Sequence, residues 1–381
     1  MTEEPGFKLW ESWCTRPIVE AMKLLTLNAH SWLEIHQPAK ILATARAIIS
    51  EGVDVVALQE ANQLRDGLKL AHDEAGTGTG AAGSAGVAGA AGSGAIAISC
   101  DNYAYLLAEA LQQLGHRFTW AWVPAHVGFE LYDEGVAILV REGAEFKAAE
   151  FRALVMEDEG FEYPIQPGAS APLPIHSYEY DDVRRRVALA VKLVPSEDSG
   201  CDDAVRDEAR AIASASSESS AWSNGFWLLS GHFSWWDKPG YALFQPEWEA
   251  VHAFAEREKG TADVSVAGDV SGATAGASTS AGLPTIVCGD LNAPAANKGQ
   301  GYDLVRSLGW IDTFAETTDS RGGNTVVAPI SGWEGHDEPR RIDYILTNTR
   351  AEVLSHSVIF DGEHHPVVSD HYGVIAELKL Q

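Results

Sequence analysis

An acidic residue and an amide stand one residue apart in the segment VCGDLNAP (residues 287–294). Asp290 and Asn292 follow TIV, a β-branched run that is typical of a buried strand. Side chains two residues apart in an extended chain share a face, so an acidic acceptor and an amide would stand side by side at the mouth of a sheet. The alternative interpretation is a simple turn, since Asp, Asn and Pro all favour turns.

Polar residues of the same kind stand at the ends of other apolar runs. They are Asn28 after MKLLTL, Glu60 after VDVVALQ, Glu134 before GVAILVR, His232 in WLLSGHF, Asp343 in RRIDYIL, and Asp370 with His371 before the last run. Each alone has an ordinary explanation, because a residue just past a buried strand is often merely solvated. Together they indicate a site, because ligand and catalytic groups in layered α/β folds gather at strand ends.

This set of side chains is rich in oxygen ligands and contains two histidines but no suitably placed cysteine. Carboxylate and amide oxygens suit a hard cation such as Mg²⁺ or Mn²⁺ rather than structural zinc. The four cysteines show no CxxC spacing, and Cys288 inside TIVCG is expected to be a buried, reduced thiol.

The elements that must position these residues follow a mixed α/β pattern. Three segments have helical patterns: PAKILATARAIISEG, with Pro38 near its start; DNYAYLLAEALQQLG, with an Asp cap and a Gly stop; and YALFQPEWEAVHAFAERE. The predicted strands are MKLLTLN, VDVVALQ, GVAILVR, RVALAVKL, GFWLLSGHF, TIVCG, RRIDYIL, AEVLSHSVIF and YGVIAELKL. Sheets faced by helices are the expected architecture.

Three stretches of low complexity interrupt this pattern, near residues 75–95, 196–224 and 259–282. They consist mainly of Gly, Ala, Ser, Thr and acidic residues and offer no apolar face, so we expect surface insertions rather than linkers. The sequence therefore predicts one domain over residues 22–381, preceded by an N-terminal extension, residues 1–21, unless Met22 is the true start.

The chain has 381 residues, a net charge of −27 and a pI near 4.7. Such an acidic surface repels nucleic-acid backbones and anionic membranes, so a nucleic-acid partner is disfavoured rather than ruled out. The N-terminus has no apolar leader and no run is long enough to cross a bilayer, so we expect a cytoplasmic protein without a membrane partner.

The order of the motifs TLNAH, ALQEAN, YDEGVAIL, GHFSWWD, CGDLNAP, RIDYIL and SDHYGV resembles the endonuclease/exonuclease/phosphatase superfamily. That superfamily includes deoxyribonucleases, abasic-site endonucleases, neutral sphingomyelinases and inositol-polyphosphate phosphatases. The resemblance runs from about residue 22 to 379. It implies an α/β fold, a four-layer α/β/β/α sandwich of two packed mixed β-sheets flanked by helices, and a metal-dependent hydrolase acting on phosphate esters.

The resemblance also implies roles for the polar residues. Glu60 would hold the divalent cation, Mg²⁺ or Mn²⁺, with Asn28 and Asp370 completing or supporting its coordination. Asp290 would orient and deprotonate the attacking water, and Asn292 would donate to a phosphate oxygen. These are the functions that phosphate-ester hydrolysis requires.

Two acid–histidine pairs complete the implied site. Asp343 would fix the tautomer of His371, whose other nitrogen faces the phosphate. Glu134 would do the same for His232. Whether one or two metals take part, and which group is the base, stays open.

The choice of substrate rests on departures from the nuclease pattern. Deoxyribonucleases of the superfamily have an arginine two residues after the metal-binding glutamate, where this sequence has Asn62. The sequence looks more like the bacterial sugar-phosphate phosphatases of the maltose 6′-phosphate phosphatase type, so a small sugar phosphate is the expected substrate. A nuclease and a sphingomyelinase-like phospholipase C are the alternatives, and the latter would need an export signal.

Four residues are candidates for substrate binding: Tyr132, Arg341, Trp235 and Trp236. The flat faces of the tryptophans, and of Trp333, would pack against a sugar ring, although they can equally be ordinary core or rim aromatics. Arg341 would grip the phosphate, unless it forms an ion pair with Asp343. Residues 184–186 and 364–365 are candidates for contacts at the rim of the site, but we expect them to be solvated.

Overall fold

The computed structural model describes residues 21–70, 95–157, 160–168, 171–173, 176–196, 221–260, 282–327, 330 and 338–380. Residues 1–20 of the predicted extension, Trp333 and most of each predicted insertion lie outside the described residues. The edges of the predicted insertions are structured: Ala95 begins a strand, residues 259–260 end a helix, and Trp222 is buried.

The described residues form 17 strands and five helices. The strands are β1 (Met22–Asn28), β2 (Val55–Gln59), β3 (Gln63–Leu64), β4 (Ala95–Ile96), β5 (Phe118–Gly128), β6 (Tyr132–Arg141), β7 (Phe146–Val155), β8 (Glu162–Ile165), β9 (Ala171–Pro172), β10 (Val187–Pro195), β11 (Phe226–His232), β12 (Thr285–Asp290), β13 (Ile311–Asp312), β14 (Ser320–Arg321), β15 (Asp343–Thr347), β16 (Glu352–Ile359) and β17 (Gly373–Lys379). The helices are α1 (Gln37–Glu51), α2 (Tyr103–Gln113), α3 (Phe244–Gly260), α4 (Gly301–Ser307) and α5 (Thr313–Glu316).

Two mixed β-sheets make up the centre of the protein. The first sheet has the order β14-β16-β17-β1-β2-β6-β3, with β5 also paired to β6, and the second has the order β13-β15-β12-β11-β10-β7-β8. Strand β1 runs parallel to β2, and β11 runs parallel to β12, whereas most other pairs are antiparallel. Strands β4 and β9 form a separate small pair.

The central strands are buried on both faces, which explains their nearly continuous apolar sequences. In β1, Met22 and Leu24 face the core between the sheets, while Leu25 and Leu27 pack in the outer core beneath α1 and α2. In β11, Leu228 faces the core between the sheets, and its neighbours pack in the second outer core beneath α3. The layers are therefore α/β/β/α, which confirms the predicted fold.

The helix ends follow their sequence signals with one difference. Helix α1 has a proline in its first turn and ends at Gly52, whose φ of 69° is a left-handed conformation that glycine adopts without strain. Helix α2 is capped by Asn102, which accepts from Tyr105 N, rather than by the preceding Asp101 as the sequence suggested. No helix in the described part of the chain is long and apolar enough to cross a bilayer.

Candidate active site

The candidate site lies where β1, β2, β11 and β12 end at the same edge of the two sheets. In the second sheet His232 is level with Asp290 across the parallel pair, and Asp290 is level with Asp343 across the antiparallel pair. The strand register therefore places three of the predicted catalytic side chains in one row.

Side chains of the first sheet reach across to this row. The amide nitrogen of Asn28 donates to Glu60 Oε1 at 2.8 Å and to Asp290 Oδ2 at 3.1 Å. Gln59, beside Glu60, donates from Nε2 to Ser230 Oγ at 3.0 Å and so ties β2 to β11. The site is therefore built between the sheets, and the positions of Asn28, Glu60 and Asp290 relative to one another depend on how the sheets pack.

The carboxylate of Asp290 lies at the centre of the site. Its Oδ1 accepts from Asn292 N at 2.8 Å, and its Oδ2 lies 3.8 Å from Nε2 of both His232 and His371. Burial and the charge of Asp343 raise the pKa of Asp290 above its ordinary value. A buried carboxylate with a raised pKa suits a proton acceptor that works near neutral pH.

The structure brings together both predicted acid–histidine pairs. His371 Nδ1 lies 3.0 Å from Asp343 Oδ2, and His232 Nδ1 lies 3.6 Å from Glu134 Oε1. The first pair is a hydrogen bond, whereas the second is a looser contact.

The two histidines have opposite protonation preferences. Burial alone would lower the pKa of His371, but the charges of Asp343 and Asp290 outweigh it and raise the pKa to about 10. Burial, together with the positive charge of Arg186, lowers the pKa of His232 to about 4. At neutral pH one imidazole is therefore a cation and the other is neutral, as in sites that divide acid and base roles between two groups.

The segment GDLN bends the backbone sharply and also supplies two residues of the site, Asp290 and Asn292. Asn292 has a φ of 48°, and its side-chain amide donates to Phe233 O at 2.9 Å and lies 3.2 Å from His232 Nε2. Glu60 has the same positive φ. Gly289 is required because a Cβ there would collide with the carbonyl oxygen of Gly231 on β11. Backbone strain of this kind is held in place by its surroundings and is common at functional sites.

The predicted metal ligands gather beside Asp290. Among the described residues, no lysine or arginine lies within 4.0 Å of the carboxylates of Glu60 or Asp370. Burial raises the pKa of Asp370, and the negative charge of Glu60 adds to this effect. Two partly buried carboxylates that repel one another, with imidazoles rather than a lysine or arginine beside them, fit a hard divalent cation.

Sequence reasoning missed two further residues at this position. His30 Nδ1 lies 2.8 Å from Glu34 Oε1 and 3.5 Å from Asp370 Oδ1, so it stands next to the candidate metal ligands. The position of His30 just past the end of β1 was a usable signal, because polar residues at strand ends gather at functional sites, although its φ of 42° takes the chain out of the extended conformation. Glu34 lies in a short irregular turn and carried no such signal.

Arg341 lies outside this cluster, contrary to its predicted role. Its Nη1 donates to Asp312 Oδ2 at 2.7 Å, its side chain is 11% exposed, and its guanidinium lies 4.6 Å from the ring centre of Phe314. The partner is Asp312 of β13 rather than Asp343, because β13 pairs with β15 and brings a buried carboxylate to this side of the strand. Arg341 therefore forms a structural ion pair with Asp312.

The aromatic candidates divide in two. Trp236 is half-buried and packs against the outer core, where its ring centre lies 6.1 Å from that of Phe244 of α3. Trp235 is half-buried, and Lys238 Nζ lies 3.9 Å above its ring. Tyr132, the first residue of β6, is half-buried and shares a strand face with Glu134.

Two arginines that were expected to be solvated are buried. Arg185 is 1% exposed and Arg186 is 4% exposed, and Arg186 Nη1 lies 3.9 Å from Glu134 Oε1. His126 Nε2 lies 3.7 Å from the same oxygen. Glu134 therefore has a cation and two imidazoles around one carboxylate oxygen. His364 and His365 pair with Asp361 and Glu51 and do not touch this cluster.

Comparisons with known proteins agree with the observed fold. The model of the Endonuclease/Exonuclease/phosphatase family matches residues 36–371. A solved family member from Leptotrichia buccalis is 22% identical, with a TM-score of 0.63, and the alignment covers 94% of this chain and 100% of that one. A second, from Bacteroides thetaiotaomicron, is 15% identical, with a TM-score of 0.54 and coverage of 96% and 99%.

A mannosyl-6-phosphatase from Bacteroides thetaiotaomicron is also similar in structure. It is 15% identical, with a TM-score of 0.52, and the alignment covers 94% of this chain and 99% of that one. None of the curated proteins compared with the chain matches it.

Proposed function

The chain belongs to the endonuclease/exonuclease/phosphatase family, whose members are hydrolases acting on phosphate esters, and we propose that it removes the phosphate group from a small sugar phosphate with a bound Mg²⁺ or Mn²⁺. The supporting observation is the position of Asp290, a buried carboxylate 3.8 Å from the Nε2 atoms of two histidines with opposite protonation preferences. Such an arrangement serves proton transfer and charge stabilisation around one reacting group.

Glu60 and Asp370 bind the cation in this proposal, and the Asn28 amide orients Glu60 through their 2.8 Å hydrogen bond. The bound cation supplies neutralisation of charge on the phosphate oxygens. The same amide also holds Asp290, so the cation ligand and the proton acceptor keep a fixed separation.

Asp290 orients the attacking water and accepts its proton. The hydrogen bonds from Asn28 Nδ2 and Asn292 N fix both carboxylate oxygens, so the carboxylate cannot rotate away from the water. The water then attacks phosphorus, the bond to the ester oxygen breaks, and the sugar leaves on the opposite side as an alkoxide that takes a proton from solvent water.

The two histidines stabilise the phosphate. His371 is protonated at neutral pH and donates its Nε2–H to a phosphate oxygen, while Asp343 holds Nδ1. His232 is neutral and is oriented by Glu134, and Asn292 Nδ2 turns from His232 Nε2 to a phosphate oxygen when substrate binds.

A sugar is the organic group that we favour. Trp235 and Tyr132 are half-buried near the acid–histidine pair and offer aromatic surface to a sugar ring. The net charge of −27 disfavours a polyanionic nucleic acid. The structural similarity to a mannosyl-6-phosphatase supports the fold and is compatible with this substrate class.

The experiment is phosphate release in Mg²⁺ across a panel of phosphate esters. Mannose 6-phosphate, maltose 6′-phosphate and glucose 6-phosphate are compared with p-nitrophenyl phosphate, and plasmid nicking is measured beside them. The Asp290→Asn variant is the negative control, and Asp303→Asn, a half-buried aspartate on α4 that pairs with Lys298, is the matched control.

Release from a sugar phosphate with intact plasmid supports the proposal, provided that Asp303→Asn is active and Asp290→Asn is not. Nicked plasmid without sugar-phosphate turnover would identify a nuclease instead. Sugar-phosphate turnover that survives in Asp290→Asn would remove Asp290 from the mechanism.

A further inference from the structure

An open cleft of about 550 Å³ lies between two loops that lead to the candidate site. One wall is formed by residues 181–184, and the other by Gly240 and Tyr241. Its volume falls within the range of small-molecule sites, about 300–1,000 Å³.

Both walls are connected to the acid–histidine pair. The first wall leads directly into Arg186, whose Nη1 lies 3.9 Å from Glu134 Oε1. It is held against β5 and β6 by Val127 N, which donates to Tyr180 O, and by Tyr180 OH, which donates to Asp133 Oδ1, both at 2.9 Å. The second wall follows His232 in the chain. Each wall is therefore linked through the chain to one member of the Glu134–His232 pair.

The first wall is preorganised. Asp182 accepts three hydrogen bonds from the Arg184 side chain at 2.5–3.1 Å. This holds the guanidinium over the Tyr178 ring, 4.5 Å from its centre. A guanidinium fixed in this way loses little conformational entropy when it binds a ligand hydroxyl.

The second wall carries the aromatic ring of Tyr241, which contacts the ring of Trp235, a residue outside the cleft lining. The rings of Trp235 and Tyr241 meet edge to face with centres 6.3 Å apart, and Lys238 Nζ lies over both. Trp235 Nε1 is a buried atom that has no hydrogen-bond partner among the described residues. Such a group costs free energy until a ligand or water accepts its hydrogen bond.

The charged residues that line the cleft do not favour an anion. Asp181 and Asp182 outnumber Arg184, so the cleft has no net attraction for a second phosphate or a polyanion. Carboxylate, guanidinium and phenol groups together offer both acceptors and donors, and the rings offer flat apolar faces. Hydroxyl groups and the C–H faces of a sugar match that combination.

We propose that this cleft binds the leaving group of the substrate and that this group is an uncharged glycosyl unit. The inference rests on the proposed function, because it assumes that a phosphate ester reacts at Asp290. It adds that Tyr241 and Arg184 select the organic part, while the catalytic cluster recognises the phosphate.

The test is the Tyr241→Ala variant with two phosphate esters. For maltose 6′-phosphate we expect KM to rise about fivefold to tenfold, the usual cost of one lost aromatic and polar contact. For p-nitrophenyl phosphate, which has no glycosyl group, kcat/KM should stay within about twofold. The matched control is Tyr105→Ala, a half-buried tyrosine of α2 whose ring contacts Trp120, which should leave both values unchanged.

Equal losses on both esters, or no change on maltose 6′-phosphate, would overturn the assignment of the cleft. A second measurement does not need turnover: maltose binding is followed by calorimetry in the wild type, Tyr241→Ala and Tyr105→Ala. Binding that is weakened only in Tyr241→Ala supports the cleft, and binding that is absent or equal in all three contradicts it. Failure of the wild type to hydrolyse any phosphate ester would contradict the proposed function alone.

Discussion

Removal of the Arg186 charge should destabilise the protein through Glu134. Arg186 Nη1 lies 3.9 Å from Glu134 Oε1, the oxygen that also faces His232 Nδ1 at 3.6 Å and His126 Nε2 at 3.7 Å. Burial raises the pKa of Glu134, and the charge of Arg186 opposes that rise. Arg186 is therefore a positioning residue that keeps Glu134 ionised and able to orient His232.

The size of the effect follows from the distance. Two unit charges 3.9 Å apart attract by about 4 kcal/mol at an effective dielectric constant of about 20. Breaking a buried ion pair by removing one partner typically costs about 3–5 kcal/mol, because the other charge stays buried. We therefore expect Arg186→Met to lower the free energy of unfolding by a similar amount.

A double-mutant cycle separates this interaction from lost packing. Urea unfolding is measured for the wild type, Arg186→Met, Glu134→Gln and the double variant, and Arg186→Met should cost about 3 kcal/mol less in the Glu134→Gln background. The matched control is Arg185→Met, since Arg185 is equally buried but donates to Ala125 O at 2.9 Å. Its cost should be the same in both backgrounds.

Additive effects of Arg186→Met and Glu134→Gln, within about 0.5 kcal/mol, would refute this reasoning. So would an equal coupling of Arg185→Met to Glu134→Gln, because the effect would then reflect general packing. Arg186→Lys keeps the charge and should recover part of the lost stability and of kcat.

Three further predictions concern the cation, a histidine and a buried acid. EDTA should abolish phosphate release and added Mg²⁺ or Mn²⁺ should restore it; activity that is indifferent to the chelator would contradict the assignment of Glu60. Asp343→Asn should lower kcat by about 10²–10⁴-fold, because His371 loses the partner that orients it, and an unchanged kcat would show that His371 does not depend on Asp343. Burial raises the pKa of Glu247 from 4.5 to about 7, so its contribution to stability is complete below pH 4.5 and is lost as the pH rises through 7; this amounts to about 3 kcal/mol at most. In Glu247→Gln, the difference between the free energies of unfolding at pH 5 and pH 8 should lose this part. An unaltered difference would show that other groups cause the pH dependence.

The fold was largely predictable because the central strands are buried on both faces. Their long β-branched and leucine-rich runs stand out against any helical pattern. Strands β5 and β7 escaped the sequence analysis for a local reason. The pairing of β5 shifts between Pro124 and His126, which interrupts its alternation, and β7 contains alanine, lysine and glutamate, which seldom favour strands.

The row of catalytic candidates was predictable because each follows or ends a recognisable strand. Asp290 and Asp343 needed only the register of neighbouring strands to meet. Arg186 and Arg341 were not predictable in the same way. A run of three arginines is usually solvated, and only the packing of two sheets buries Arg186 beside Glu134. Arg341 pairs with Asp312, a partner from a two-residue strand that no sequence pattern marks.

The most direct test of the central claim is the rate of phosphate release by Asp290→Asn on the best substrate of the panel, in saturating Mg²⁺. The substitution keeps the shape of the side chain and removes its ability to accept a proton. The proposed mechanism predicts a loss of about 10²–10⁴-fold in kcat in a variant that urea unfolding in Mg²⁺ shows to be folded, although its amide nitrogen can no longer accept one of the two hydrogen bonds that Asp290 receives. A folded Asp290→Asn variant that retains most of the wild-type kcat would contradict it.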